Sequence, residues 1–274
     1  MSAGVPRQIS RRTSSIKGSD AGKQREPLPG WTSTQYMDLS IVIPCYNEAA
    51  NLPRLFEVVS RSVPSNLAME VVFVDNGSTD ASARVFAELL PRYSFARSVT
   101  VPLNKGYGYG ILTGLRSTTG RVVGWTHADL QTDPTDVVGG YRAFQNQLSA
   151  GRTVLKGRRV ERPLVDRLFT RGMSIIASLA LGARFYDINA QPKLFPRALL
   201  DEMGEAPNDF SLDLYLLWLA RCHGYNLVEY PVVFGKRIMG EAKGGGSLRL
   251  KWKLTRRTLT FIRVLRRNIR SSGR

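Results

Sequence analysis

Histidine and cysteine are nearly missing, with two of each in 274 residues. Cys45 and Cys222 lie far apart with no CxxC spacing, which excludes a disulfide framework and a structural zinc site. That usage fits a reduced, cytosolic setting. Cys45 has no neighbouring histidine to support a thiolate and reads as a small buried residue. Long apolar runs are missing too. The best candidate, Gly172 to Ala183, is flanked by Arg171 and Arg184 and falls short of the ~20 apolar residues that a membrane-spanning helix requires. The N-terminal residues are rich in Ser, Arg and Gly and show no apolar core of a secretory signal. The expectation is a chain that neither crosses a membrane nor is exported by the usual route.

Acidic residues are scarce: 22 against 39 Lys and Arg, a net charge of +17. The excess sits at the ends. Residues 1–30 hold six basic and two acidic residues, and residues 236–274 hold thirteen basic residues and Glu241 alone. The body between them is nearly neutral, so the tails, not a basic domain, meet an anionic surface. A neutral body without a nucleic-acid-binding signature argues against nucleic acid as the partner. Three segments follow: a disordered basic arm over 1–36, a folded domain over 37–235 and a basic amphipathic segment over 236–274.

Within the body, Leu-Ser-Ile-Val-Ile (39–43) reads as a buried strand stopped by Pro44, with Asn47 capping the helix that follows. Glu70–Asp75, Ser98–Val101 and Arg121–Thr126 read as further strands, each leading through a polar turn towards the next element. Beyond residue 150, Leu164–Leu181 looks like an amphipathic pair of helices, with Met173–Leu181 as core rather than membrane contact. Asp187–Leu194 reads as extended, Phe210–Arg221 as a helix and Asn226–Val233 as a strand. Repeated strand–loop–helix units predict an α/β fold, a doubly wound, mostly parallel sheet with helices on both faces. In such sheets the ligand lies beyond the carboxyl ends of the strands. Tyr46-Asn47-Glu48, Asp75-Asn76, Asn104-Lys105-Gly106 and His127-Ala128-Asp129 each follow a strand end, which points to one shared site.

Four stretches occur here in order: Ser-Ile-Val-Ile-Pro-Cys-Tyr-Asn-Glu (40–48), Val-Asp-Asn-Gly-Ser-Thr-Asp (74–80), Asn-Lys-Gly-Tyr-Gly (104–108) and Ala-Asp-Leu-Gln-Thr-Asp-Pro (128–134). Together they resemble family 2 glycosyltransferases, and most of all the polyprenyl-phosphate sugar synthases of the dolichyl-phosphate mannose synthase group. The resemblance implies a GT-A fold, a nucleotide-sugar donor and a divalent metal, Mn²⁺ or Mg²⁺. It places Pro44, Tyr46, Glu48, Asp75, Asn76, Lys105 and Gly106 around the nucleotide. It assigns Asp129, Gln131 and His127 to the metal and diphosphate. Two positions depart from the family: Asn76 stands where a second aspartate is usual, and His127 where the first aspartate of Asp-Ala-Asp is usual. Both changes remove negative charge, and an imidazole suits Mn²⁺ better than Mg²⁺.

The resemblance also places Arg158 near the phosphates, Lys193 where an arginine is usual, and Arg167, Thr170 and Arg171 at the acceptor phosphate. Asp213 lies where the family often shows an acidic residue and is the one candidate for a catalytic base. The expected activity is inverting transfer of a hexose from a GDP- or UDP-sugar to a polyprenyl phosphate at the cytosolic membrane face. Alternatives are transfer to a lipopolysaccharide or other glycan hydroxyl, and a non-catalytic sugar-nucleotide binding protein. Attachment is expected to be peripheral, to anionic lipid, with room for a separate membrane protein as partner. The anchor is the C-terminal segment, where Leu248, Leu250, Trp252, Leu254, Phe261, Leu265 and Ile269 are interleaved with Lys and Arg in the manner of an interfacial helix.

Overall fold

A computed structural model describes residues 37–161, 164–235, 255–256 and 258–266. The expected basic arm and most of the C-terminal segment, Trp252 and Ile269 included, lie outside the described residues. The chain begins with three strand–helix units: β1 (Leu39–Cys45), α1 (Leu52–Ser62), β2 (Met69–Asn76), α2 (Ser82–Leu89), β3 (Ala96–Val101) and α3 (Tyr107–Ser117). There follow β4 (Val122–Trp125), α4 (Thr135–Ala143), α5 (Gln145–Ser149) and β5 (Thr153–Val160). The last elements are α6 (Leu164–Leu181), β6 (Lys193–Pro196), α7 (Arg197–Asp201), α8 (Leu212–Cys222) and β7 (Asn226–Val233).

The seven strands form one sheet in the order β3-β2-β1-β4-β6-β5-β7. β6 alone runs against its neighbours, pairing antiparallel with both β4 and β5. The strands alternate between two cores, as a period of two requires. Val42, Val72 and Val74 pack with α3, α8 and α7 on one face. Ile41, Ile43, Val71 and Phe73 pack with α1, α2 and α4 on the other. Because both faces are covered there, the central strands β1, β2 and β4 are buried almost throughout and read as apolar runs. The mostly parallel, doubly wound sheet of the sequence reading is the observed architecture.

Glycine lets α3 lie close against the sheet. A Cβ at Gly114 would come within 2.5 Å of Val42 and 2.7 Å of Val74, so any larger residue would lift the helix. The amino-terminal edge of the sheet is fastened by a buried carboxylate. Glu70 accepts hydrogen bonds from the Ser40 hydroxyl (2.6 Å), the Thr119 amide (2.6 Å) and Arg97 Nε (3.0 Å). Burial works to raise its pKa, but those donors and the Arg97 charge hold it below the ordinary carboxylate range. The other edge, where the parallel strands end, is left for loops.

Several local expectations change. Pro44 does not stop β1; the strand continues to Cys45, with Pro44 opposite Val74 of β2. Pairing with β4 has already ended at Val42, so Pro44 meets an unpaired edge on that side and the sheet loses little by its missing amide. Asn47 does not cap α1, whose cap is Asn51. It takes a positive φ of 53° and its Oδ1 accepts from the Thr79 amide at 2.8 Å, tying the first loop to the second. Residues 164–181 make one helix, not two. Of the stretch expected to be extended before β6, only Lys193 onward is strand.

The described part of the C-terminal segment departs from a free interfacial anchor. Residues 258–266 are helical. Ile262 and Leu265 are buried in the core shared with α8, and Phe261 meets Tyr215 edge-on at 6.3 Å. Its apolar face is satisfied by the domain while Arg256, Arg263 and Arg266 stay exposed.

Candidate functional site

Every loop expected to carry the site emerges at the carboxyl edge of the parallel strands, and direct bonds link neighbouring loops. The β1–α1 loop joins the β2–α2 loop through Asn47 N to Ser78 Oγ (3.0 Å), Glu48 N to Ser82 Oγ (3.1 Å) and Ala49 N to Asp80 Oδ2 (3.2 Å). Glu48 is itself buried, and its carboxylate accepts from Asn51 Nδ2 at 2.5 Å. Pro44 and Tyr46 are half-buried beside it.

Asp75, buried at the end of β2, accepts from the Ser78 amide at 3.0 Å, which shapes the turn into α2. Asn76 donates Nδ2 to the Gly106 carbonyl at 3.1 Å, while its Oδ1 is buried and has no hydrogen-bond partner among the described residues. The side chain lies under α3, where a Cβ at Gly110 would come within 2.7 Å of it. Asn76 thus braces the Asn-Lys-Gly loop from below. Gly106 has φ +118° and faces the Asn208 carbonyl, which a Cβ would meet at 2.3 Å; both facts require glycine there. Lys105 remains exposed, its ammonium 5.1 Å from the centre of the Tyr109 ring.

Beyond β4, His127, Asp129 and Gln131 are half-buried in one loop. Asp129 Oδ1 accepts from the Gln131 amide at 3.2 Å. Gln131 Nε2 donates to the Gly235 carbonyl (3.3 Å), and the Gly235 amide donates back to the Gln131 carbonyl (2.7 Å), closing the exit of β7 onto this loop. The His127 ring stacks on Tyr107 at 5.6 Å between centroids, and Tyr107 stacks on Phe210 at 4.5 Å.

Among the described residues no group of three His, Cys, Asp or Glu forms a metal cage. A divalent ion that arrives with a diphosphate takes most of its ligands from phosphate oxygens and water, with one or two carboxylates from the protein. Asp129 with the neighbouring imidazole of His127 fits that demand.

Two expected site residues are placed elsewhere. Lys193 is fully buried, and Asp213 is 1% exposed. Lys193 Nζ donates to Asp213 Oδ1 (2.7 Å), the Ala190 carbonyl (2.6 Å) and the Ile188 carbonyl (2.9 Å). All three ammonium protons are used. Burial pushes the Lys193 ammonium below its ordinary pKa, and the Asp213 charge counters it. Lys193 therefore has no donor left for a nucleotide phosphate. Asp213, accepting also from Gln191 Nε2 at 2.8 Å, is neither an open base nor part of a solvated helix face.

Arg158 is exposed near the end of β5, with Nε 3.6 Å from Glu229. Its neighbour Arg159, not singled out from sequence, is tied to Asp187 through its amide and guanidinium and pins the 182–192 loop to β5. Arg159 and its own amide keep the Asp187 carboxyl low against the opposing effect of burial.

Arg167 and Arg171 are exposed and Thr170 half-buried on α6. The same helix exposes Leu164, Leu168, Ile175 and Leu179, the last at 80%, on one face by helical spacing. Ile176 is exposed as well, so the core reading of Met173–Leu181 holds only for its inward residues such as Ala177. Arg171, Ile175, Leu179, Arg184 and Tyr186 line an open cleft between α6 and the loop after it.

Sequence reasoning missed Tyr107, Phe210 and Gln191. Tyr107 stood inside a quoted motif, between two glycines, and its size there was the available signal. Phe210 and Gln191 gave none, because only the tertiary fold brings them to Tyr107.

The family model of glycosyl transferase family 2 matches residues 40–188. A dolichol-phosphate mannosyltransferase of Pyrococcus furiosus is 29% identical over 216 residues, 77% of this chain and 60% of the relative. An undecaprenyl-phosphate 4-deoxy-4-formamido-L-arabinose transferase of Pseudomonas aeruginosa is 29% identical over 212 residues, 75% of this chain and 60% of the relative. The chain thus spans about 60% of the length of these curated relatives. Among solved structures, glucosyl-3-phosphoglycerate synthase of Mycobacterium tuberculosis, in complex with Mn²⁺, UDP and glucosyl-3-phosphoglycerate, superposes with a TM-score of 0.62. That match is 20% identical and covers 88% of this chain and 86% of the other. A mannosyltransferase from Pyrobaculum calidifontis in complex with GDP-mannose and Mn²⁺ superposes with a TM-score of 0.58 at 20% identity, over 85% of this chain and 64% of the other.

Proposed function

Because the chain belongs to glycosyl transferase family 2, we propose that it transfers a sugar from a GDP- or UDP-sugar to a polyprenyl phosphate at a membrane face, with inversion. The observation that carries the choice of acceptor is the burial of Asp213. A glycan hydroxyl must lose a proton as it attacks and needs a base within reach. The one candidate for that base is enclosed and ion-paired to Lys193. A phosphate monoester is already anionic at neutral pH and needs none. Its oxygen attacks the anomeric carbon, the bond from that carbon to the nucleoside diphosphate breaks, and the diphosphate leaves with the electron pair.

In this reading Glu48, Asp75 and the loop braced by Asn76 hold the nucleoside. Asp129 and His127 would hold Mn²⁺ or Mg²⁺, which would offset charge on the departing diphosphate. Lys105 at the entrance to α3 and Arg158 at the end of β5 lend cationic support to the phosphates. Lys193 acts from beneath, as a support for Gln191 and Asp213. Arg167 and Arg171 receive the acceptor phosphate. Mass spectrometry of lipid-linked sugars should show one species that appears only in cells carrying the protein. An unchanged lipid-linked pool beside a changed glycan pool would favour the hydroxyl acceptor instead.

Membrane contact is assigned to α6. No described helix is long and apolar enough to cross a bilayer. The apolar stripe of α6 is exposed, and Arg167, Arg171 and Arg184 are exposed around it. Apolar side chains ringed by arginine suit an anionic interface, where each cation near the surface contributes about 1 kcal/mol. The triple variant Leu168→Ser, Ile175→Ser, Leu179→Ser alters exposed positions only. It should fold normally and lose most of its sedimentation with anionic liposomes at low salt. Undiminished sedimentation would move the contact to residues 236–274.

A further inference from the structure

Four separate segments meet at one ring. Tyr107 is the first residue of α3, stacked with His127 of the β4 loop at 5.6 Å and with Phe210 of the segment before α8 at 4.5 Å. At its edge the hydroxyl lies 3.5 Å from Gln191 Nε2. Gln191 leads through Asp213 (2.8 Å) to Lys193 (2.7 Å). The surroundings leave the ring little freedom. A Cβ at Gly108 would meet the Pro207 carbonyl at 2.4 Å, and the Tyr109 amide donates to the Asn208 carbonyl at 3.1 Å. The segment before α8 is therefore pressed against the start of α3.

We propose that Tyr107 is a positioning residue: stacked on Phe210, it fixes the ring of His127 and with it the loop that carries Asp129. The proposal rests on the reading of that loop as the metal–diphosphate site. The geometry of the stack gives it substance. Among the described residues no hydrogen bond orients the His127 ring, and its stack on Tyr107 is the constraint on it. A change at Tyr107 therefore reaches the β4 loop although nothing places the tyrosine in contact with donor or metal.

The test is calorimetric titration of the full chain with GDP and with UDP, each with Mn²⁺ and with EDTA, in wild type, Tyr107→Phe, Tyr107→Leu and Phe210→Leu. Tyr107→Phe keeps the stack and should bind within about twofold of wild type. Tyr107→Leu should weaken the Mn²⁺-dependent binding by about 10–100-fold, as loss of an orienting partner behind a metal ligand does, and leave metal-free binding unchanged. Phe210→Leu removes only the outer layer, should fall between, and carries the comparison if Tyr107→Leu does not fold. Wild-type metal dependence in both leucine variants, or equal losses with Mn²⁺ and EDTA, overturns the positioning role alone. A wild type that binds neither Mn²⁺–GDP nor Mn²⁺–UDP overturns the donor-site reading beneath it.

Discussion

Lys193→Met should destabilise the fold by about 3–5 kcal/mol, a large share of the ~5–15 kcal/mol that holds a typical domain together. The methionine fills most of the volume, so packing is not the main loss. What is lost is the cation: Asp213 would remain buried with Gln191 as its donor and no positive charge beside it. The Ile188 and Ala190 carbonyls would lose their donor as well. For a domain of this size the melting midpoint should fall by about 10 °C. Removing both charges, with Lys193→Met and Asp213→Leu together, should recover part of that loss, since an apolar pair often replaces a buried ion pair at little cost. A single variant that melts with wild type would mean the pair is not closed in solution, and Asp213 would return as a candidate base.

Asp129→Asn should lower turnover by about 10²–10³-fold, the scale of losing one well-placed electrostatic contribution to a transition state. The fold should survive, because the asparagine Oδ1 can still accept from the Gln131 amide as Asp129 does at 3.2 Å. The loop is therefore kept and the charge removed. His127 and Asn76 already stand in positions where the family usually has aspartate, and the other carboxylate of this loop, Asp133, is engaged by the Thr135 amide at 2.8 Å at the start of α4. Unchanged melting with lost transfer at saturating Mn²⁺ is the expected pair of results. Near-wild-type transfer would remove Asp129 from the site.

The first half of the chain was legible because its physics is local. Parallel strands buried on both faces read as apolar runs, and each ended in a polar cluster that the fold brought to the same edge. Residues 226–233 read as a strand and were one. What failed depended on partners distant in sequence. Pro44 looked like a stop because nothing in the sequence says that β4 is too short to pair with it. Lys193 and Asp213, twenty residues apart, looked like separate site residues, and only the closure of β6 onto α8 makes them one buried pair. The outward face of α6 looked like core because an apolar stripe is the same in sequence whether it meets protein or lipid. Phe261 and Leu265 raised the opposite error, an apolar stripe assigned to lipid that packs on the domain. Composition identified both amphipathic segments and could not say which side each one served.

Purified full-length protein, incubated with radiolabelled GDP- and UDP-sugars, Mn²⁺ and vesicles containing a polyprenyl phosphate, tests the proposed reaction most directly. One donor should give a radiolabelled product that partitions into organic solvent, requires the polyprenyl phosphate, and is absent with Asp129→Asn. Label found only on water-soluble glycan or free sugar, with no lipid-linked product from either donor, would contradict it.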